Sequence, residues 1–197
     1  MRVGSGDELE QAKTRDRKII ITDMAIEKAN APDIPYFTPE QNQRFKELNK
    51  ELLRISKFEN DSNEVAILFD PNDFSYQISF GGVSSVNIFE NPIARDMIRN
   101  ADEKSLFLIH NHPSTKIFSY TDIGVLLTND SYAGMTAVAN TGVISTIFKT
   151  ARYDRNNALR VIKSIRINYP QILSGSDDID IVKHFLKVSG SCGIETL

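Results

Sequence analysis

Apolar positions fall into blocks with two different periods, and the change between periods marks out the elements. Phe45, Leu48, Leu52 and Ile55 recur at helical spacing behind Thr38-Pro39, a capping residue followed by proline at the first helical position, so a helix is expected from Pro39 to about Lys57. Glu64 to Phe69 reads as a short apolar strand closed by the turn Asp70-Pro-Asn-Asp73. Phe74, Tyr76, Ile78 and Phe80 then alternate as in a half-buried strand. Gly81-Gly82 breaks the pattern, and Val83 to Phe89 reads as a third strand. Asn91-Pro92 opens a helix with Ile93, Met97 and Ile98 on one face. The run from Lys104 to Ile109 turns continuously apolar, the pattern of a strand buried on both sides.

The second half continues the alternation. A helix is expected from Ser119 to about Thr128, and two strands between Met135 and Lys149 around the turn Asn140-Thr-Gly142. Ala158, Val161, Ile162 and Ile165 predict a helix over 152–168, ended by Pro170. A loop at 174–178 and a last short helix over Ile179–Val188 follow. At the other end, residues 1–18 read as a polar, flexible lead-in. The β-branched run within Lys18–Met24 reads as a strand or docking segment, and Asn30 to Pro35 as a turn-rich connector. Helices interleaved with strands and hairpins imply a mixed α/β domain with a central sheet flanked by helices. The expected division is a polar N-terminal extension over 1–37, a domain over 38–168, and a C-terminal extension over 169–197 with a short helix.

Composition narrows the function classes. At 197 residues, 41% hydrophobic and 25% charged, the chain can bury a core and reads as globular. The net charge of -3 with scattered Lys and Arg gives no case for nucleic-acid binding. No apolar run approaches the ~18 residues of a membrane span, so no membrane association is expected. The polar start has no signal-peptide pattern, and would equally suit a piece of a longer polypeptide. A single cysteine, Cys192, excludes an internal disulfide and any Cys-x-x-Cys metal site, and it favours a reducing, cytoplasmic compartment. Oligomeric state is not legible.

Candidate chemistry concentrates between Leu106 and Asp122. His110 and His112 follow an apolar run two residues apart, and on a strand such residues share a face, so both imidazoles can reach one ion. Asp122 follows after a short loop. Two nitrogens and one oxygen make the donor set of a catalytic zinc site with one position left for water. Each residue also has a plainer reading. Buried histidines are often structural, and Ser119-x-x-Asp122 is a capping box at a helix start. Glu64 is the candidate general base, since a charge that opens an apolar strand needs a partner or a task. It can also be a solvated strand end, and Glu51, Glu59 and Glu90 offer carboxylates too.

Taken together, these residues resemble the JAMM/MPN+ (JAB) zinc metalloprotease family, within it the RadC-like bacterial and phage branch. Glu64-Val-Ala-Ile-Leu-Phe-Asp is similar to the strand that carries the family glutamate. His110-Asn-His112-Pro113-Ser114 matches the RadC-like His-Asn-His-Pro-Ser, and Ser119-Tyr-Thr-Asp122 matches Ser-x-x-Asp. The resemblance spans roughly Glu64 to Lys149. It implies a JAB/MPN-like, cytidine-deaminase-like α-β-α sandwich. It further implies one zinc held by His110, His112 and Asp122, Glu64 as general base and acid, and Ser119 as oxyanion donor. The implied reaction is hydrolysis of a peptide or isopeptide bond in a protein or peptide substrate, in the family often beside a ubiquitin-like tail. The loop between His112 and Ser119 is one residue shorter than the usual pattern, and no counterpart of the insertions that clasp ubiquitin is evident. A second expectation therefore stands beside the enzyme: a non-catalytic RadC-like JAB domain acting as an interaction module in a larger bacterial or phage protein. Deamination is not expected, because the chain has neither His-x-Glu nor Pro-Cys-x-x-Cys.

Overall fold

The computed structural model describes residues 18–115, 118–169 and 177–197. The lead-in before Lys18, the helix stop at Pro170 and the start of the 174–178 loop lie outside the described residues.

Thr22 begins the first described helix, α1 (Asp23–Lys28), by accepting a hydrogen bond from the Ala25 N–H. The β-branched run before it therefore forms no strand. It docks instead, with Ile21 buried and the Ile19 N–H donating to the Pro113 carbonyl at 2.8 Å. Helix α2 (Pro39–Glu59) starts at a reciprocal capping box between Thr38 and Gln41 and buries Phe45, Leu48, Leu52, Leu53 and Ile55. Strands β1 (Val65–Phe69) and β2 (Tyr76–Phe80) pair antiparallel.

The expected third strand over 83–89 is absent. The chain folds back after Gly81-Gly82, with the Gly82 N–H donating to the Ser85 carbonyl, and ends in a 3-10 turn, Ile88–Glu90. Asn87 caps that turn from its side chain. Gly81 is required here because any Cβ would collide with the Ser85 carbonyl and Val86. Helix α3 (Pro92–Asn100), β3 (Leu106–His112), α4 (Tyr120–Thr128), β4 (Tyr132–Ala139), β5 (Ile144–Lys149), α5 (Arg155–Ile167) and α6 (Asp177–Val188) follow close to their expected places. A short strand, β6 (Ile194–Thr196), pairs with β5, so the tail read as an extension adds a strand to the sheet.

The sheet has six strands in the order β2-β1-β3-β4-β5-β6. Only β3 and β4 are parallel, joined by a crossover through α4; the other pairs are antiparallel. The pleat divides the core in two. Val65, Ile67, Phe69, Phe107 and Ile109 face α1 and α2, in one cluster with Ile21, Ala25, Phe45 and Leu52. Ala66, Leu68, Leu106, Leu108 and Met135 face the other side, with Ala94 of α3, Ile123 of α4, Ile162 of α5 and Phe185 of α6. The protein is thus an α/β fold whose mixed sheet is the middle of three layers, and the segment from Ile21 to Ile34 contributes side chains to one of its cores. Among the described residues, no helix is long and apolar enough to cross a membrane.

Candidate metal centre

Strand β3 is central and all of its residues are buried, so its two faces meet different surroundings. His110 and His112 share the side of Leu106 and Leu108, and on that side lies the N-terminus of α4. Asn111, between them, points to the α2 side. One alternation therefore supplies both the candidate ligands and the anchor that holds their strand.

The Nε2 atoms of His110 and His112 stand 3.1 Å apart. Asp122 Oδ2 is 3.2 Å from His112 Nε2, and its Oδ1 is 3.5 Å from His110 Nε2. A tetrahedral ion with bonds near 2.0–2.1 Å separates its ligands by roughly 3.3–3.4 Å, so these edges fit such a site. With one carboxylate oxygen taken as ligand, the three donor atoms lie within 4.8 Å of one another. Among the described residues this is the one group of three or more His, Cys, Asp or Glu placed to hold a metal ion. His110 Nδ1 is buried with no hydrogen-bond partner, so that ring is oriented only through its Nε2 side.

The capping and ligand readings of Asp122 coincide. Ser119 is the N-cap of α4, and its Oγ accepts from the Asp122 N–H at 3.1 Å. The Ser119 N–H and hydroxyl both donate to Asp122 Oδ2 at 2.7 Å. The helix start fixes the carboxylate while Oδ1 is left to face His110. Burial alone would raise the Asp122 carboxyl, but the two histidines hold it well below the usual carboxylate range. Burial alone would lower His112, but its hydrogen bonds and attraction to Asp122 and Glu64 push it up to about 9. A proton is held here where a metal would replace it.

Glu64 reaches the same centre from β1. Its N–H donates to the Gly82 carbonyl at 2.9 Å, and its carbonyl accepts from the Gly81 N–H at 2.8 Å, so the glycine pair extends the β1–β2 ladder by one step. The residue is 5% exposed, and Oε1 lies 3.3 Å from His112 Nδ1. That contact orients the imidazole so that Nε2 faces the other two donors, as a carboxylate behind a metal-bound histidine does. All five sequence-predicted residues are thus brought together. Ser119 and Glu64, however, have their side chains turned to Asp122 and His112 respectively.

The supporting shell was not anticipated from sequence. Asn111 Oδ1 accepts from the Val65 N–H at 2.7 Å. Its Nδ2 faces Asn140 Oδ1 at 2.8 Å and both Ser56 Oγ and the Asn63 carbonyl at 3.1 Å. Asn140 in turn donates to the carbonyls of Ile19 and Ser62, and its N–H donates to the His112 carbonyl at 3.0 Å. The available signal was an asparagine at an inward position of a buried strand, where an unpaired amide would be costly. No family model, curated protein or solved structure matches the chain, so the centre is read from its own residues.

Proposed function

We propose that the protein is a zinc-dependent metallopeptidase, acting on a peptide or isopeptide bond, with the JAB-like fold that the RadC-like resemblance implies. The observation that carries this reading is the convergence of His110 Nε2, His112 Nε2 and Asp122 on one point, at the edges of a tetrahedral site. They do so in the wall of a pocket of about 590 Å³ that Glu64 and Ser119 also line. His110, His112 and Asp122 would hold the metal. When bound, zinc would bring a water near neutral pKa and polarise a carbonyl oxygen.

The remaining work falls to the chain. Asp122, kept ionised by the histidines and fixed by Ser119, supplies the anionic donor. Glu64 holds the His112 ring and is the one other buried carboxylate in the pocket, so it is the group that would take a proton from the attacking water and give it to the leaving amine. Ser119 holds Asp122, and the resemblance gives its hydroxyl the further role of oxyanion donor. The substrate is a protein or peptide segment that enters the open pocket, and the RadC-like resemblance places such an enzyme in a bacterial cytoplasm or within a larger bacterial or phage polypeptide.

One observation favours a second reading, a non-catalytic interaction module: the Ser119 hydroxyl and the Glu64 carboxylate both engage ligand side chains. Turnover of a peptide substrate by the zinc-loaded parent separates the two, and Glu64→Gln then tests the base. Its amide oxygen can still accept from His112 Nδ1–H, so zinc should stay bound, while turnover of a peptide substrate should fall ~10²–10⁴-fold. Undiminished turnover in that variant would remove Glu64 from the mechanism.

A further inference from the structure

We infer that the pocket beside the metal centre selects a bulky apolar side chain next to the scissile carbonyl, rather than a glycine-glycine tail; this rests on the peptidase reading of that centre. The pocket has two chemically different ends. At one end stand Glu64, His110, His112 and Asp122. From there its floor runs along the same face of the sheet: Ala66 of β1, paired in register with His110, then Leu108 of β3 beside Met135 of β4. Ala66 is the small residue in this floor. Val125, one helical turn beyond Asp122 on α4, forms one wall. Val86 and Ile88, on the loop that Gly81 allows to fold back, also line the pocket.

The apolar end offers nothing to a charged group. Lys18 lines the pocket, but its Nζ is engaged by Asp61 Oδ2 at 2.7 Å and by the Asp61 carbonyl. Ser84 and Ser85 are exposed, and the Asn87 side chain is engaged, accepting from the Phe89 N–H and donating to Glu90 Oε1. A polar end that takes a carbonyl and an apolar end that excludes charge together describe one amino-acid residue with a large hydrocarbon side chain. A volume of about 590 Å³ lies within the range of small-ligand sites. A glycine-glycine segment would fill only its polar end and would leave the half-buried Val86 and Val125 uncovered.

The test needs no turnover and no metal. The full metal-free chain, with its methyl groups isotopically labelled, is titrated with N-acetyl-leucine methylamide, and in parallel with the glycine and aspartate analogues. The leucine compound should give saturable shifts confined to the methyls of Leu108, Met135, Val86 and Val125, with both analogues at least about tenfold weaker. Val86→Trp should abolish the leucine response while zinc uptake stays as in the parent. Equal responses to leucine and glycine compounds, or shifts elsewhere only, overturn the inference. Zinc uptake is measured separately, so a chain that binds the leucine compound but takes up no zinc upholds the pocket and rejects the metallopeptidase reading.

Discussion

Asn111 offers the sharpest test of how the metal strand is held. It is fully buried, and its amide is the meeting point of β1, α2, β3 and the end of β4. The Val65 N–H fixes which end is the oxygen. Truncation in Asn111→Ala strands two groups, the Val65 N–H and Asn140 Oδ1. Ser56 and the Asn63 carbonyl keep each other, at 2.6 Å. Two buried orphans at about 1–3 kcal/mol each, with a modest cavity term, give a loss of about 3–5 kcal/mol. That is a large part of the ~5–15 kcal/mol that holds a typical domain together. Asn111→Asp discriminates volume from hydrogen bonding. Its shape is the same, but an oxygen replaces Nδ2 and faces the acceptors of Asn63 and Asn140. It should cost at least as much as alanine. Urea unfolding of the metal-free chain at pH 7.5 reads both, provided m is unchanged. An aspartate variant within about 1 kcal/mol of the parent would refute the claim that this network anchors β3.

Two further outcomes follow from the centre itself. Ser119→Ala removes the side-chain N-cap of α4 and one of the two donors to Asp122, the hydroxyl, while the backbone N–H stays, so it should lower stability by about 1 kcal/mol and weaken zinc binding ~10-fold, read by unfolding and by competition with a chromophoric chelator. In the metal-free chain, His112 is raised from 6.5 to about 9, so its protonated form supports the fold. That contribution is complete below pH 6.5 and is lost as pH rises through about 9. Metal-free stability should therefore fall over this window, and in His112→Gln the slope should flatten. Zinc affinity should climb about tenfold per pH unit over the same window, as the proton it displaces becomes easier to remove.

Most of the sheet was legible because its strands are buried on both faces or alternate strictly, and the caps at Thr38, Asn91 and Ser119 mark helix starts in plain chemistry. What the pattern left open or missed was decided by local contacts. Ile19 to Ile21 have strand-like side chains, but the Thr22 hydroxyl captures the Ala25 N–H and the chain turns helical. Val83 to Phe89 lost its strand to backbone contacts at Gly81 and Gly82, which no side-chain pattern reports. Strand β6 is only three residues long, too short to show a period, and is placed by Gly193 at φ 75 and a buried Ile194. His110, His112 and Asp122 were legible from the two-residue spacing on a strand and the capping box that follows, whereas Glu64 and Ser119 were singled out through the family resemblance. The contact of Glu64 with His112 Nδ1, and the asparagine network behind the strand, depend on tertiary distance and left no pattern along the chain.

The central claim is that His110, His112 and Asp122 form a metal site. The most direct measurement is metal content by mass spectrometry, on protein purified without chelators or nickel resin and then equilibrated with zinc. The account predicts about one zinc per chain, lost in His112→Ala while the fold survives. A folded parent that holds no zinc at any concentration tried, or a His112→Ala variant that holds it as tightly as the parent, would contradict it.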